Sequence, residues 1–185
     1  MNNLKKQIEN YQPFNEQEAK DKEFFLKFIN DFDNGLTREN EYGQFTSSAF
    51  LINPEKTKFL AIYHNIYDGW MIPGGHADGI ENLLEVAIRE VEEETGIKAD
   101  ILDENIASLE SLPTIGHTKR GKYVPAHIHY NVTFLLMADD SIPLRIKEDE
   151  NSGVKWISFA DACNNEIVDF ARPINKKIIE KITKN

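Results

Sequence analysis

The chain has 185 residues, of which 41% are hydrophobic and 10% aromatic. That is enough apolar material for one domain with a real core plus an appended helical segment, and it excludes a disordered chain. A formal net charge of −10 argues against stable nucleic-acid binding, which needs a basic face, so any phosphate chemistry here would call for cations.

The first residues, MNNLKKQIENYQ, hold no apolar targeting core, and no run approaches the roughly eighteen uncharged residues of a membrane helix. A cytoplasmic protein with no membrane partner is expected. A single cysteine, Cys163, excludes an intrachain disulfide framework.

Residues 1 to about 36 read as helical. Leu4, Ile8 and Tyr11 share one face, and Asn15 with Glu18 starts a segment whose Phe25, Phe28, Ile29 and Phe32 recur at helical spacing up to Gly35. Residues 1–40 thus form an N-terminal helical extension expected to pack on a domain spanning 41–185. Lid, homodimer interface and core cover remain open as its role. From Gln44 the pattern changes to short β-rich runs at 45–52, 58–64 and 70–75. After a helix over 83–95 come further strands at 107–113, 127–137 and 153–159. A short helix entered at Ser158 follows, then a closing helix from Pro173 with Ile174, Ile178 and Ile182 along one side. Its Lys176, Lys177, Lys181 and Lys184 read as a solvated face. The element order implies an α/β (α+β) fold, a mixed sheet flanked by helices.

The 83–95 helix is unusual. Asn82 and Glu85 suit a capping box, Gly96 supplies a stop, and Leu84, Ala87, Ile88, Val91 and Thr95 make a stripe to pack on the sheet. Its last turns read REVEEETG, where like charges three or four residues apart repel by about 0.2 to 0.5 kcal/mol per pair. The helix's negative end adds about 0.3 to 1 kcal/mol for carboxylates in the last turn. At about 100° per residue, Glu90, Glu93 and Glu94 converge in one sector while Glu92 points elsewhere. Hard divalent cations such as Mg²⁺ are commonly held by a few carboxylates together with substrate phosphates, which would compensate the repulsion. The preceding Gly74-Gly75 pair lets backbone approach a ligand, with the Gly75 carbonyl as a neutral donor. A solvated acidic helix is the competing explanation.

The spacing decides between them. Gly75, five residues, Glu81, seven residues, then Arg89 to Ile97 resembles the Nudix box, G-x5-E-x7-R-E-U-x-E-E-x-G-U with U a bulky aliphatic, and every defining position is filled. The resemblance implies an α/β/α sandwich with a mixed sheet and a pyrophosphohydrolase that cleaves a nucleoside diphosphate linked to a moiety X, giving a nucleoside monophosphate and phospho-X with Mg²⁺ or Mn²⁺. It further implies metal ligation by Glu90, Glu93, Glu94 and Gly75, with Glu93 alternatively accepting the proton of the attacking water. Arg89, which stays protonated, would orient neighbouring carboxylates such as Glu81.

Outside the box, Glu148, Asp149 and Glu150 offer carboxylates for a base or further ligand, or form a solvated loop. Trp70 can stack on a base or belong to the core, and His76 can reach phosphate or stabilise its loop. His127, His129 and Asn131 share the polar face of one strand, either lining the substrate cleft or solvated. A transition-metal site is disfavoured because no acidic or cysteine partner has suitable local spacing. Pro113, sixteen residues past Ile97, resembles the downstream proline of ADP-ribose pyrophosphatases, giving ADP-ribose or a nucleotide sugar a slight lead among substrates. A nucleotide-sensing Nudix module without catalysis is the alternative function, and the complete set of carboxylates favours the enzyme.

Overall fold

In the computed structural model, which describes residues 1–119, 121–149 and 151–184, two N-terminal helices precede the sheet. Helix α1 (Asn2–Asn10) buries Leu4 and Ile8, and α2 (Glu16–Asp31) buries Phe25, Phe28 and Ile29. The Asn15 side chain accepts the Glu18 amide, as expected of an N-cap.

Strand β1 (Gly43–Ile52) is central and buried along its whole length. It runs parallel to β8 (His127–Met137), which pairs antiparallel with the edge strand β5 (Asp100–Thr114). The run expected as one strand over 70–75 divides at Pro73, whose missing N–H cannot serve a ladder. Its first half, β3 (Gly69–Met71), pairs with β2 (Lys58–His64), and its second, β4 (Gly74–His76), crosses to β1. Strand β9 (Asn151–Ser158) lies on β2.

Side-chain alternation along β1 builds two cores. Phe45, Ala49 and Leu51 pack with α1, α2 and α3 (Leu83–Thr95), whereas Phe50 and Ile52 pack toward α4 (Ala171–Lys184). Helices therefore cover both faces of the mixed sheet, the expected sandwich.

Several boundaries differ from expectation for local reasons. Strand β5 starts earlier because its first half, DILDEN, is exposed and polar, with register shifts near Asp103. The hairpin β6 (His117–Lys119) and β7 (Lys122–Val124) was not anticipated. The helix expected after Ser158 is a single 3₁₀ turn, Phe159–Asp161.

Of the closing lysines expected on a solvated face, Lys176 and Lys184 are exposed but Lys177 and Lys181 are not. Lys177 is buried and Lys181 largely so, and both meet carboxylates in a cluster that joins α2, β5 and α4. Lys177 Nζ lies 3.0 Å from Glu18 Oε1 and 2.9 Å from Glu110 Oε1, and Lys181 Nζ donates to Glu18 at 2.6 Å. Two ammonium groups thus face two carboxylates. Glu18 also accepts from the Tyr11 hydroxyl at 2.6 Å, the Phe14 amide at 2.7 Å and Ser108 Oγ at 2.9 Å. Burial alone would raise the Glu18 carboxyl, but the bonds from Lys181, Tyr11 and Phe14, with Lys177 close by, hold it down at about 2. Through this cluster and through Leu4, Ile8, Phe25, Phe28 and Ile29 the N-terminal helices pack on the sheet. Among the described residues no helix is long and apolar enough to cross a membrane.

Removing one partner of such a cluster strands the opposite charge in the interior. Glu18→Gln is expected to lower the unfolding free energy by about 3–5 kcal/mol in urea titrations. In the wild type the depressed carboxyl contributes fully above its ordinary value of 4.5 and loses that contribution as pH falls toward 2. Acid-unfolding curves of the variant should therefore be shallower across that window.

Candidate functional site

The β4–α3 connection brings the glutamates against backbone. Helix α3 spans the expected residues, and Gly96 closes it in the left-handed region at φ 74°. Asn82, however, bonds the Glu85 side chain instead of capping the backbone. The buried face is rotated from the expected stripe. It comprises Leu83, Val86, Ala87, Glu90, Val91, Glu94 and Thr95, while Leu84 and Ile88 are half-buried at its margin. Two of the converging carboxylates therefore point inward: Glu90 is 8% exposed and Glu94 3%. Glu93 stands at the lip with its side chain 46% exposed, and Glu92 faces solvent.

Backbone at β4 passes close to its neighbours, Gly74 against the backbone of β1 and Gly75 against the end of the Glu90 side chain. A Cβ on Gly75 would collide with the Glu90 carboxylate, and one on Gly74 with Ser47 and Ser48 of β1. The Gly74 amide donates to Glu94 Oε2 at 3.0 Å, and Asn151 of β9 donates to the Glu94 carbonyl at 3.1 Å. Arg89 Nη2 bonds Glu90 Oε1 at 2.7 Å and the His76 carbonyl at 3.2 Å, while its Nε lies 3.8 Å from Glu93. Lys147 reaches Glu93 from the loop before β9, at 3.1 Å.

The expected Arg89–Glu81 pairing does not form. Glu81 instead accepts the Asn3 amide at 2.7 Å and the Leu4 amide at 3.2 Å, with the terminal amine of Met1 3.2 Å away. It caps α1, and those amides hold its carboxyl below the ordinary range. The rest of the loop is pinned as well. Arg38 grips Asp78 with two bonds of 2.7 and 2.9 Å, and the Gly79 amide donates to the Leu36 carbonyl. Arg38 and Lys147 were absent from the expected site because no local spacing connects them to the box.

The donors gathered here are carboxylates and backbone carbonyl, an all-oxygen set that suits a hard divalent cation.

The remaining candidates are dispersed. Glu148 and Asp149 are exposed, and Glu150 lies outside the described residues. Trp70 is half-buried on β3, with Lys155 Nζ 4.1 Å above its ring and Tyr63 edge-on at 5.3 Å. Pro113 is an exposed residue of edge strand β5 opposite Ile128, a position that tolerates the absent N–H. His76, His127 and His129 do come together, across β1: their nearest ring nitrogens all lie within 4.8 Å of one another. Burial, followed by the neighbouring His76 and His127, pushes the His129 imidazole down to about 3, so it is neutral at physiological pH.

Gly75→Ala tests the close approach. It is expected to cost about 1–3 kcal/mol of stability by overpacking and to shrink the rise in Tm that Mg²⁺ produces in the wild-type chain, both read by calorimetry.

Residues 44–182 match the family model described as NUDIX domain. An RNA pyrophosphohydrolase of Pelagibacter ubique is 33% identical over 137 residues, covering 71% of this chain and 86% of that protein. An asymmetrical bis(5'-nucleosyl)-tetraphosphatase of Mus musculus is 31% identical over 96 residues, covering 51% and 58% of the two chains. Among solved structures, a NUDIX-family hydrolase from Clostridium perfringens superposes with a TM-score of 0.55 at 20% identity, over 77% of this chain and 99% of its own. A C. elegans Ap4A hydrolase complex gives 0.53 at 20% identity, over 76% and 95%; at these identities the likeness speaks for the fold alone. The family match spans both the box on α3 and the strands that hold it, and with a relative one third identical over most of both lengths, this chain belongs to the Nudix hydrolase family.

Proposed function

We propose that the chain is a metal-dependent pyrophosphohydrolase that cleaves a nucleoside diphosphate linked to a further moiety, with a nucleotide-capped polyphosphate as its substrate class. The observation that carries this reading is the burial of Glu90 and Glu94 on the sheet-facing side of α3, against Gly74 and Gly75, with Glu93 at the open lip beside them. A merely solvated acidic helix would turn all its carboxylates outward.

Glu90, Glu94 and the Gly75 carbonyl would hold Mg²⁺ or Mn²⁺. When bound, such an ion neutralises phosphate oxygens and lowers the pKa of water. The chain's own residues supply the remainder. Arg89 fixes the Glu90 carboxylate and the His76 carbonyl in place, which makes it a positioning residue. Glu93, half-exposed at the lip and paired with Lys147 and Arg89, is the carboxylate that would turn toward a water and accept its proton. Glu81 is set apart from this chemistry by its bonds to α1.

The relatives named for RNA and for bis(5'-nucleosyl) tetraphosphates favour a polyphosphate chain over ADP-ribose. Between these two, the net charge of −10 works against holding the body of an RNA and favours the dinucleoside polyphosphate.

The test is product release from dinucleoside polyphosphates, triphosphate-ended RNA, nucleoside triphosphates, ADP-ribose and nucleotide sugars, each with Mg²⁺, Mn²⁺ or EDTA. Metal-dependent cleavage is expected, fastest with the dinucleoside polyphosphates. Binding without cleavage across the panel would instead mark a nucleotide sensor. Glu93→Gln and Glu94→Gln should each lower kcat by about 10²–10⁴-fold with the circular-dichroism spectrum unchanged, and wild-type turnover in both would overturn the assignment.

A further inference from the structure

Strand alternation sends neighbouring residues of β4 to opposite faces of the sheet. Gly75 faces α3 and the carboxylates, whereas His76, in register with Thr46 of β1, faces the other way. On the far side of β1, His129 is in register with Gln44, and Thr46 and Gln44 share a face. Three imidazoles from two strands therefore meet on the side of the sheet away from Glu90 and Glu94, a convergence that no local sequence spacing reveals.

The hydrogen bonds of the cluster determine which nitrogens carry lone pairs. His127 Nδ1 lies 2.8 Å from the Pro125 carbonyl, which can only accept, so Nδ1 carries the proton and Nε2 is bare. A carbonyl that fixes a histidine tautomer in this way is the usual support of a metal-bound imidazole. His127 Nε2 lies 3.0 Å from His129 Nε2, so with the former bare the proton between the two nitrogens belongs to His129. Replacing that proton with Zn²⁺ at about 2.0–2.1 Å from each nitrogen asks for a separation of about 3.3 Å in tetrahedral geometry, within a few tenths of what is present. His76 closes the third corner: from a spread of at most 4.8 Å it needs a shift of about 1.5 Å, which a half-exposed ring can make by side-chain rotation.

Two further features suit a cation. The positive charge of Arg38, which acts on His129, is already met by the two-pronged contact with Asp78. Thr114, directly opposite His127 on β5, carries a buried hydroxyl that lacks a hydrogen-bond partner among the described residues and would bond a water on the ion's fourth position.

We propose that His76, His127 and His129 form a second metal site, a three-nitrogen site for a Zn²⁺-class transition ion with one open position, separate from the all-oxygen site on α3. Nitrogen donors select borderline ions such as Zn²⁺ and Co²⁺, while Mg²⁺ prefers oxygen. The two sites therefore sort metals by donor type. This inference holds whether or not the chain is a hydrolase.

The experiment is competition for Zn²⁺ against a chromophoric chelator, using the full chain freed of metal, together with Co²⁺ absorption in the visible. One equivalent of Zn²⁺ is expected to bind, and Co²⁺ should give the intense d–d bands of a four-coordinate site. The double variant His127→Gln/His129→Gln should weaken Zn²⁺ binding by roughly 100-fold or more. Should that variant fail to fold, His76→Gln, which changes only a half-exposed ring, must still lose at least about tenfold. Glu90→Gln/Glu94→Gln should retain wild-type Zn²⁺ affinity. Unchanged affinity in the histidine variants, or loss of Zn²⁺ in the glutamate variant alone, would overturn the site.

Discussion

Glu90 and Glu94 lie one turn apart on the face of α3 that packs against the sheet, where two like charges repel far more strongly than they would in water. Nearby structure is arranged to make that burial tolerable. The Gly74 amide is directed at Glu94, and Arg89 at Glu90. The first contact depends on β4 passing so close that a side chain at Gly74 would strike the backbone of β1. Pro73 permits the approach by ending the pairing with β2 and releasing the strand to β1. The pair of charges thus bears on the backbone amide at Gly74, the space left at Gly75 and the orientation of Arg89.

The loop between β4 and α3 is held from outside the box. Arg38 fastens Asp78, Leu36 takes the Gly79 amide, and Glu81 is bound to the start of α1. Residues 36 and 38 and helix α1 precede the stretch that matches the family, which begins at residue 44. A box that is complete in itself is therefore positioned partly by segments that lie before the matched stretch. Glu81 shows the exchange most clearly, since its carboxylate serves a helix terminus in place of the box arginine.

What was legible in the sequence was local. Helix α3 follows from an apolar period and a terminal glycine within one short stretch, although Asn82 turns to the Glu85 side chain instead of capping the backbone. The box follows from fixed spacings along the same stretch. Features set by distant contacts were hidden. The apolar stripe alone turns α3 toward Leu84 and Ile88, but burying Glu90 and Glu94 rotates it toward Leu83 and Val86, a cost that the Gly74 amide and the Arg89 guanidinium help offset. Lys177 and Lys181 look like any lysines of an amphipathic helix until Glu18 and Glu110 arrive from α2 and β5. His76 lies far from His127 in the chain and meets it only because β1 separates their strands by one position.

The cluster of Glu18, Glu110, Lys177 and Lys181 also bears on how the molecule assembles. The bond from Lys181 to Glu18 spans 163 residues, so the loop-closure entropy of nearly the whole chain is spent before it can form. During synthesis α2 emerges long before its partners, and its carboxylate stays hydrated until α4 exists to neutralise it. The cluster thereby couples α2 to α4, so that local opening of either helix exposes the carboxylates and ammonium groups of both.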